Sequence, residues 1–209
     1  MDHRFEKVLS RYRSRLAQED DLMVRDPVSF VARRNEYLLA VGEDAGWLLH
    51  TLAVGRKAQR ILEIGTSYGY STLFLANAAR QNGGRVHSIE LVAEKQQYAR
   101  AQLEEAGLQS YVDWQLGDAT RLIGRLDGFF DFVFVDLWKD LYVPCLELFY
   151  PKLAENALIA ADNMLSPKDA RPHAERYRAA VRAKPALHTV LLPIGNGIEL
   201  SCLWNRDPA

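Results

Sequence analysis

Hydrophobic and polar positions follow two different patterns along the chain, and the change falls near Arg60. Before it, apolar residues recur at the three-and-four spacing of amphipathic helices. The spacing predicts a first helix around residues 5–16, a second over residues 27–39 and a third over residues 43–54, with Asp26 as a cap before the second. Three helices are therefore expected before any strand.

After Arg60 the chain alternates between short runs rich in Ile, Val and Leu and amphipathic stretches of helical length, which is typical of a parallel α/β sheet. Seven strands are predicted, at residues 60–65, 85–90, 112–118, 130–136, 157–162, 188–194 and 198–204. Only Gly195, Asn196 and Gly197 separate the last two, so these must form an antiparallel hairpin. The predicted fold is a Rossmann-like, doubly wound seven-stranded sheet of five parallel strands plus a C-terminal antiparallel hairpin, with extra N-terminal helices. Residues 166–172 are expected to form a loop.

Composition narrows the class of protein. A chain of 209 residues, 48% hydrophobic, suits one domain, with N-terminal helices over residues 1–55 and the sheet-bearing core over residues 56–209. The 26 basic and 27 acidic residues nearly cancel, which argues against a polyanion as the main partner. Cys145 and Cys202 lack the spacing of a zinc site or a disulfide framework. No signal peptide or membrane-spanning run is recognisable, so we expect a cytoplasmic protein without a membrane segment.

The residues that close the first two strands point to a cofactor. Ligands of an open parallel sheet bind beyond the carboxyl ends of its strands. The first strand runs into a loop with Glu63, Gly65, Gly69 and Ser71, where the two glycines allow a tight turn and close approach of a ligand. Glu90 ends the second strand about 20 residues further on, where it can accept hydrogen bonds from ribose hydroxyls. An adenosine-containing cofactor is therefore expected.

The loop after the first strand favours S-adenosylmethionine over a dinucleotide. Its glycines follow the spacing G-x-x-x-G, which departs from the G-x-G-x-x-G of pyrophosphate-binding loops. The carboxylate of Glu63 would repel a pyrophosphate and suits the ammonium group of a methionine moiety. At the end of the third strand, Asp118 and the Ala119 backbone could meet the adenine edge, and Asp118 could equally cap a helix.

The fourth and fifth strands carry the residues that indicate a metal site. Asp136 closes the fourth strand, and Asp162 and Asn163 close the fifth. These strands should be neighbours, so two carboxylates and an amide oxygen would converge. Such oxygen ligands, without His or Cys, favour Mg²⁺, with Mn²⁺ or Ca²⁺ also possible, over zinc.

Lys139 and Trp138 follow Asp136 at the mouth of the same crevice. Like charge from a divalent cation and a sulfonium would lower the pKa of Lys139, so this residue is the candidate catalytic base. Trp138 could form an apolar wall for a flat substrate, or simply pack.

Taken in order, LEIGTSYGYSTLFLA, SIE, GDA, FVFVDLWKDLY and LIAADN resemble the cation-dependent class I S-adenosylmethionine O-methyltransferases of the catechol and caffeoyl-CoA type. The resemblance covers about residues 41–204. It implies a methyltransferase domain in which Asp136, Asp162 and Asn163 bind the cation and Lys139 removes a proton. The cofactor contacts that it implies, together with those expected above, are Val41 through its backbone, Glu63, the Gly65 and Thr66 amides, Gly69, Ser71, Glu90, Asp118, Ala119 and Asp136.

The resemblance also implies a small aromatic hydroxyl acceptor, and it makes Glu199 a candidate substrate residue; Glu199 could instead be a polar residue that begins the last strand. In the family the N-terminal segment shapes the acceptor pocket and often a dimer contact, so a homodimer is possible.

Three alternative functions stay open. Bacterial proteins that resemble this family methylate hydroxylated uridine in tRNA, and an arginine patch on the early helices could bind RNA or be a solvated helix face; it comprises Arg11, Arg13, Arg15, Arg33 and Arg34. A non-catalytic S-adenosylmethionine or nucleotide sensor would have no need of the cluster at Asp136 and Asp162. An NAD-dependent reductase is the remaining alternative.

Overall fold

The computed structural model describes residues 2–204, except for the side chains of Phe30, Arg34 and Asp169. Its centre is one seven-stranded sheet with the strand order β3-β2-β1-β4-β5-β7-β6. The strands are β1 Arg60–Ile64, β2 Arg85–Glu90, β3 Val112–Leu116, β4 Phe130–Val135, β5 Leu153–Ala161, β6 Leu187–Leu192 and β7 Ile198–Leu203. The first five are parallel, and β7 pairs antiparallel with both β5 and β6. The predicted fold class is confirmed, and the structure adds that β7 is inserted between β5 and β6.

Eight α-helices accompany the sheet in the described part of the chain: α1 His3–Arg25, α2 Pro27–Ala32, α3 Glu43–Gly55, α4 Tyr70–Asn82, α5 Ala93–Glu105, α6 Ala119–Leu122, α7 Tyr142–Phe149 and α8 Arg171–Arg182. Asp26 caps α2 as predicted, because its carboxylate accepts from the Ser29 amide at 3.1 Å.

The second helix is shorter than predicted, and the prediction that it reaches Leu39 is wrong. The Leu38 amide donates to the carboxylate of Glu19 on α1 rather than to a helical carbonyl, and Leu39 has a left-handed backbone with φ +47°. Both features are incompatible with a continuing helix. The predicted loop at residues 166–172 is also too long, since α8 begins at Arg171 with a proline in its first turn.

Strand ends were predicted to within two residues, with one exception. β5 begins at Leu153, four residues before the predicted start. Leu153 pairs with Phe130, and the register then shifts before Phe132 pairs with Leu158. An irregularity of this kind leaves no simple apolar run in the sequence, because the residues in between include Asn156 with φ +56°.

Hydrophobic cores cover both faces of the sheet, as a doubly wound fold requires. Helices α1, α3, α4 and α5 pack over one face, with Tyr12, Leu49 and Phe74 fully buried. Helices α6, α7 and α8 cover the other, with Tyr142, Phe149 and Tyr177 fully buried. The rigid sheet between the two cores fixes the residues at its carboxyl edge. Over residues 2–204, the structure contains no helix with both the length and the apolar character needed to cross a bilayer.

Candidate active site

Asp136 and Asp162 lie at the ends of adjacent strands. Val135 of β4 pairs with Ala161 of β5, and the Asp162 amide donates to the Val135 carbonyl at 3.1 Å. The two carboxylates are close enough to affect each other's ionisation. Burial raises the pKa of both, and for Asp162 the neighbouring Asp136 carboxylate raises it further. The predicted convergence of the two strand ends is therefore present.

Asp162 has the chemistry of a cation ligand. Its side chain is 1% exposed, and among the described residues its Oδ1 has no hydrogen-bond partner. No group of three His, Cys, Asp or Glu side chains suited to a metal occurs over residues 2–204. The donor set here is instead two carboxylates with the neighbouring amide of Asn163, whose backbone is left-handed with φ +60°. These oxygen donors fit a hard divalent cation.

Lys139 lies beside this pair at the start of a short 3-10 helix, Lys139–Leu141. Its Nζ is 3.5 Å from Asp136 Oδ1, 3.1 Å from the Leu137 carbonyl oxygen and 2.6 Å from the Tyr142 hydroxyl. Burial lowers the pKa of Lys139, while Asp136 and Asp162 oppose the decrease. Burial alone therefore lowers this pKa, and the further decrease expected from a bound cation and a sulfonium stays a prediction.

Trp138 precedes Lys139 and is 47% exposed. A large aromatic ring with half its surface open to solvent at the edge of a polar crevice is available for an apolar contact. Its position is compatible with the predicted wall for a flat substrate.

Glu63 is fully buried at the end of β1 and is surrounded by hydroxyl groups. Ser71 Oγ donates to Oε1 at 2.7 Å, and Thr72 Oγ1 and Ser88 Oγ both donate to Oε2. Burial raises the pKa of Glu63 to about 7, although these hydrogen bonds lower it, and the Asp136 carboxylate adds to the increase. A cofactor would therefore meet Glu63 through Ser71 rather than directly.

The glycines and amides after β1 serve the protein's own packing. A Cβ on Gly65 would lie 1.9 Å from the Asp136 carbonyl oxygen, and one on Gly69 would lie 2.7 Å from Ala99 Cβ. The Gly65 and Thr66 amides both donate to the Ile89 carbonyl, at 3.0 and 3.1 Å. Both glycines have the positive φ that a tight turn requires, +103° and +86°. The Gly65 and Thr66 amides are directed at Ile89 in this structure, and contact of this loop with a ligand stays a prediction.

Glu90 closes β2 beside this loop. Its carboxylate accepts from the amides of Ser67 at 2.7 Å and of Leu91 and Val92 at 2.9 Å each. Three backbone donors fix its orientation and occupy three of its roughly four lone-pair positions, which leaves one for a further hydroxyl donor. This is the arrangement expected of a carboxylate that receives a ribose.

Asp118 caps α6 through hydrogen bonds from the Thr120 amide at 2.8 Å and hydroxyl at 2.7 Å, and these hydrogen bonds lower its pKa. The cap interpretation of Asp118 is thus confirmed, with Ala119 nearly buried beside it. Val41 is buried just before α3, and its carbonyl oxygen would lie 2.8 Å from a Cβ on Gly195 of the β6–β7 loop. Val41 and the hairpin loop therefore meet at the same edge of the sheet.

Glu199 is not exposed to a substrate, and its candidacy as a substrate residue needs correction. Its side chain is fully buried on β7 and accepts hydrogen bonds from Arg178 Nε at 2.8 Å, Arg182 at 3.4 Å and Thr189 Oγ1 at 2.8 Å. Two cations from α8 neutralise it, so its role in this structure is to join the last strand to that helix.

The arginine patch on the early helices is neutralised by acidic partners. Arg11 pairs with Glu105, Arg13 with Glu43, Arg15 with Glu19 and Arg33 with Glu36. The side chain of Arg34 lies outside the described residues. A surface whose guanidinium groups are already paired offers little to RNA phosphates.

Two residues of the site were missed by reasoning from the sequence. Tyr142 contacts the Lys139 amine. The sequence could have indicated this contact, because a spacing of three residues places both side chains on one side of a helical turn. Tyr68, in the loop after β1, lies under the Arg15 guanidinium at 4.3 Å, and its carbonyl accepts from the Tyr12 hydroxyl at 2.6 Å. No sequence signal connects Tyr68 with α1, because that contact joins distant segments.

Fold and site together define a Rossmann-like enzyme with a cluster of carboxylates at the carboxyl edge of its sheet. The model of the family described as "O-methyltransferase" matches residues 14–203. The chain therefore belongs to the O-methyltransferase family, which confirms the enzyme class expected from the sequence, an S-adenosylmethionine-dependent O-methyltransferase.

Similar proteins agree with this family. A catechol O-methyltransferase of Niastella koreensis is 29% identical over 201 residues, covering 90% of each chain. A caffeoyl-CoA O-methyltransferase of Petroselinum crispum is 29% identical over 184 residues, covering 78% of this chain and 76% of the relative. Among solved structures, the O-methyltransferase TomG from Streptomyces achromogenes, involved in tomaymycin synthesis and in complex with S-adenosylmethionine, aligns with a TM-score of 0.74 and 29% identity over 80% of this chain and 82% of its own.

Proposed function

We propose that the protein transfers the methyl group of S-adenosylmethionine to one hydroxyl of a small aromatic acceptor with adjacent hydroxyl groups, assisted by a divalent cation. Asp162 carries the proposal. A buried carboxylate oxygen without a hydrogen-bond donor is costly, and a hard cation would satisfy it. The names of the catechol and caffeoyl-CoA relatives support an acceptor of this class.

In this proposal Asp136, Asp162 and Asn163 hold the cation. Their oxygen donors suit Mg²⁺ best, and Mn²⁺ or Ca²⁺ could take its place. When bound, the cation supplies a positive charge that lowers the pKa of an acceptor hydroxyl from its usual value of about 10. A bound cation would also reduce the repulsion between the two carboxylates.

Lys139 is the group that accepts the proton of the acceptor hydroxyl. Burial lowers its pKa and so increases the fraction of neutral amine, the form that a base requires. Trp138, beside it, would pack on the ring of the acceptor and limit the access of water. Together the two residues would orient the hydroxyl oxygen for in-line attack on the methyl carbon.

The methyl donor would lie along the ends of β1, β2 and β3. Glu90, fixed by three amides, would accept a hydrogen bond from a ribose hydroxyl, and Asp118 and Ala119 would border the adenine. Ser71 donates to Glu63 and keeps acceptor lone pairs on its oxygen for the ammonium group of the methionine moiety.

The cation assignment is tested with Asp162→Ala. We expect this variant to bind S-adenosylmethionine with little change in calorimetry, to lose Mg²⁺ binding, and to transfer methyl groups to a catechol at least about 100-fold more slowly. A chelator should abolish the activity of the unmodified protein, and added Mg²⁺ should restore it.

Asp127→Ala is the matched control, because Asp127 is an exposed aspartate just before β4, at the strand end opposite Asp136. It should behave as the unmodified protein in all three measurements. If Asp162→Ala transfers methyl groups at the normal rate, or a chelator has no effect, the cation has no part in the reaction.

A further inference from the structure

Tyr142 lies between the Lys139 amine and the strand that carries Asp162. Its side chain is fully buried at the start of α7, with its hydroxyl oxygen 2.6 Å from Lys139 Nζ and 3.2 Å from the Asp162 carbonyl oxygen. A backbone carbonyl can only accept, so the phenol O–H donates its hydrogen bond to the Asp162 carbonyl oxygen. The phenol oxygen must then accept its other hydrogen bond, from the Lys139 amine.

These contacts determine where the amine points. A lysine nitrogen has three tetrahedral positions besides its bond to carbon. One is directed at the Leu137 carbonyl, 3.1 Å away, which can only accept, and a second at the Tyr142 oxygen. Two N–H bonds are thereby directed into the protein. The third position is left for the site: Asp136 Oδ1 lies 3.5 Å from the amine, and in the proposed function the acceptor hydroxyl binds next to Asp136.

We infer that Tyr142 is a positioning residue, which holds the Lys139 amine so that its third position faces the acceptor hydroxyl. The inference rests on the proposed role of Lys139 as the base. A lysine on a flexible four-carbon chain adopts many orientations unless it is held at its end. The Leu137 carbonyl alone fixes one direction and leaves the amine free to rotate about it, so the phenol supplies the second point that a defined orientation requires.

The neighbouring Tyr177 provides an internal comparison. It is also fully buried, on α8, and its ring lies 5.3 Å from that of Tyr142 in an edge-on arrangement. Among the described residues, its hydroxyl has no hydrogen-bond partner. The two side chains thus share burial and packing, and they differ in whether the hydroxyl contacts the site.

The test replaces each hydroxyl in turn. Tyr142→Phe keeps the ring, and we expect kcat to fall about 10- to 100-fold while KM for S-adenosylmethionine and for a catechol acceptor changes less than about two-fold. Tyr177→Phe should leave kcat unchanged. Circular dichroism at the assay temperature establishes that both variants are folded.

A double-mutant cycle separates positioning from a general structural effect. If Tyr142 acts through Lys139, adding Tyr142→Phe to Lys139→Ala should produce no further loss of kcat. The same fold-loss in both backgrounds would overturn the inference, as would a normal kcat in Tyr142→Phe alone.

A crystal structure of the cofactor-free Tyr142→Phe variant gives a readout that does not depend on activity. We expect the Lys139 side chain to leave its present position or lose defined density, while it stays in place in Tyr177→Phe. An unchanged Lys139 in Tyr142→Phe would contradict the inference. Normal activity in Lys139→Ala would instead disprove the base assignment, and the crystallographic comparison would still show whether Tyr142 orients the amine.

Discussion

Glu63, a candidate cofactor residue, also has an ionisation that should affect the stability of the protein. Its carboxylate, just before the loop after β1, was expected to suit the ammonium group of a methionine moiety, and the structure buries it completely among three hydroxyl donors. Burial raises its pKa to about 7, against an ordinary glutamate value near 4.5. Below pH 4.5 the group is protonated in both the folded and the unfolded chain, and between the two values only the folded chain keeps the proton.

This difference makes the stability of the protein depend on pH. Because the folded-state pKa is the higher one, the contribution of Glu63 is complete below pH 4.5 and is lost as the pH rises through about 7. A shift of this size corresponds to a loss on the order of 3 kcal/mol in the free energy of unfolding. We expect Glu63→Gln, which cannot ionise, to lack this part of the decrease when urea unfolding is measured at pH 5 and pH 8.

The control for Glu63→Gln is Glu94→Gln, on the exposed side of α5. It should keep the full decrease between the two pH values. Should Glu63→Gln show the same decrease as the unmodified protein, the carboxyl is not the source of the pH dependence.

Helix α1 covers the sheet and also joins two segments that are distant in the sequence. Arg15 lies over the Tyr68 ring of the loop after β1, pairs with Glu19 at 2.8 Å and donates to the Glu36 carbonyl at 2.9 Å. Glu19 in turn accepts from the Leu38 amide. One helix thereby connects the segment that leads to Val41 with the loop after β1, two places where the sequence predicts contacts with the methyl donor.

We expect Arg15→Ala to weaken both stability and cofactor binding. Removing Arg15 leaves the nearly buried carboxylate of Glu19 without its cation, which should lower the free energy of unfolding by about 2 kcal/mol. The freed Tyr68 loop should raise the Kd for S-adenosylmethionine roughly three- to ten-fold in calorimetry, since ordering it then costs binding energy.

Arg13→Ala is the matched control for this prediction. Arg13 lies on the same helix and is exposed, and its ion pair is with the partly exposed Glu43 of α3 rather than with the loop after β1. Its loss should cost no more than about 1 kcal/mol and leave the Kd unchanged. Equal effects of the two variants on the Kd would show that Arg15 has no special connection to the cofactor loop.

The elements that the sequence predicted well are those determined by local pattern. All seven strands carry apolar residues at successive or alternating positions over most of their length, and Asp26 followed by Pro27 correctly marks the start of α2. The end of α2 was wrong because it depends on Glu19, a residue 19 positions away from Leu38. Glu199 was misassigned for a similar reason: only the packing of α8 on β7 shows that two arginines neutralise it.

For the whole molecule, the convergence of Asp136 and Asp162 could be predicted because strand order in a doubly wound sheet follows from few rules. The identity of the acceptor could not, since it depends on side chains that several segments bring to the crevice. The balance of charge does bear on whether the acceptor is a nucleic acid. With 26 basic and 27 acidic residues, and four of the five early arginines paired with carboxylates, the surface has little attraction for a polyanion.

We therefore expect the protein to methylate small aromatic diols and not hydroxylated uridine in tRNA. Mass spectrometry of a panel of catechols, flavonoids, phenylpropanoids and tRNA, each incubated with S-adenosylmethionine and Mg²⁺, should show a mass increase of one methyl group only among the small acceptors. Reversing the charge of Arg11 and Arg13 should leave that activity unchanged, because both are exposed on α1 and have no part in the proposed site, and exposed ion pairs contribute little to stability. Methylated tRNA that disappears in the charge-reversed variant would establish the RNA substrate instead, and cofactor binding without any methylated product would favour a sensor.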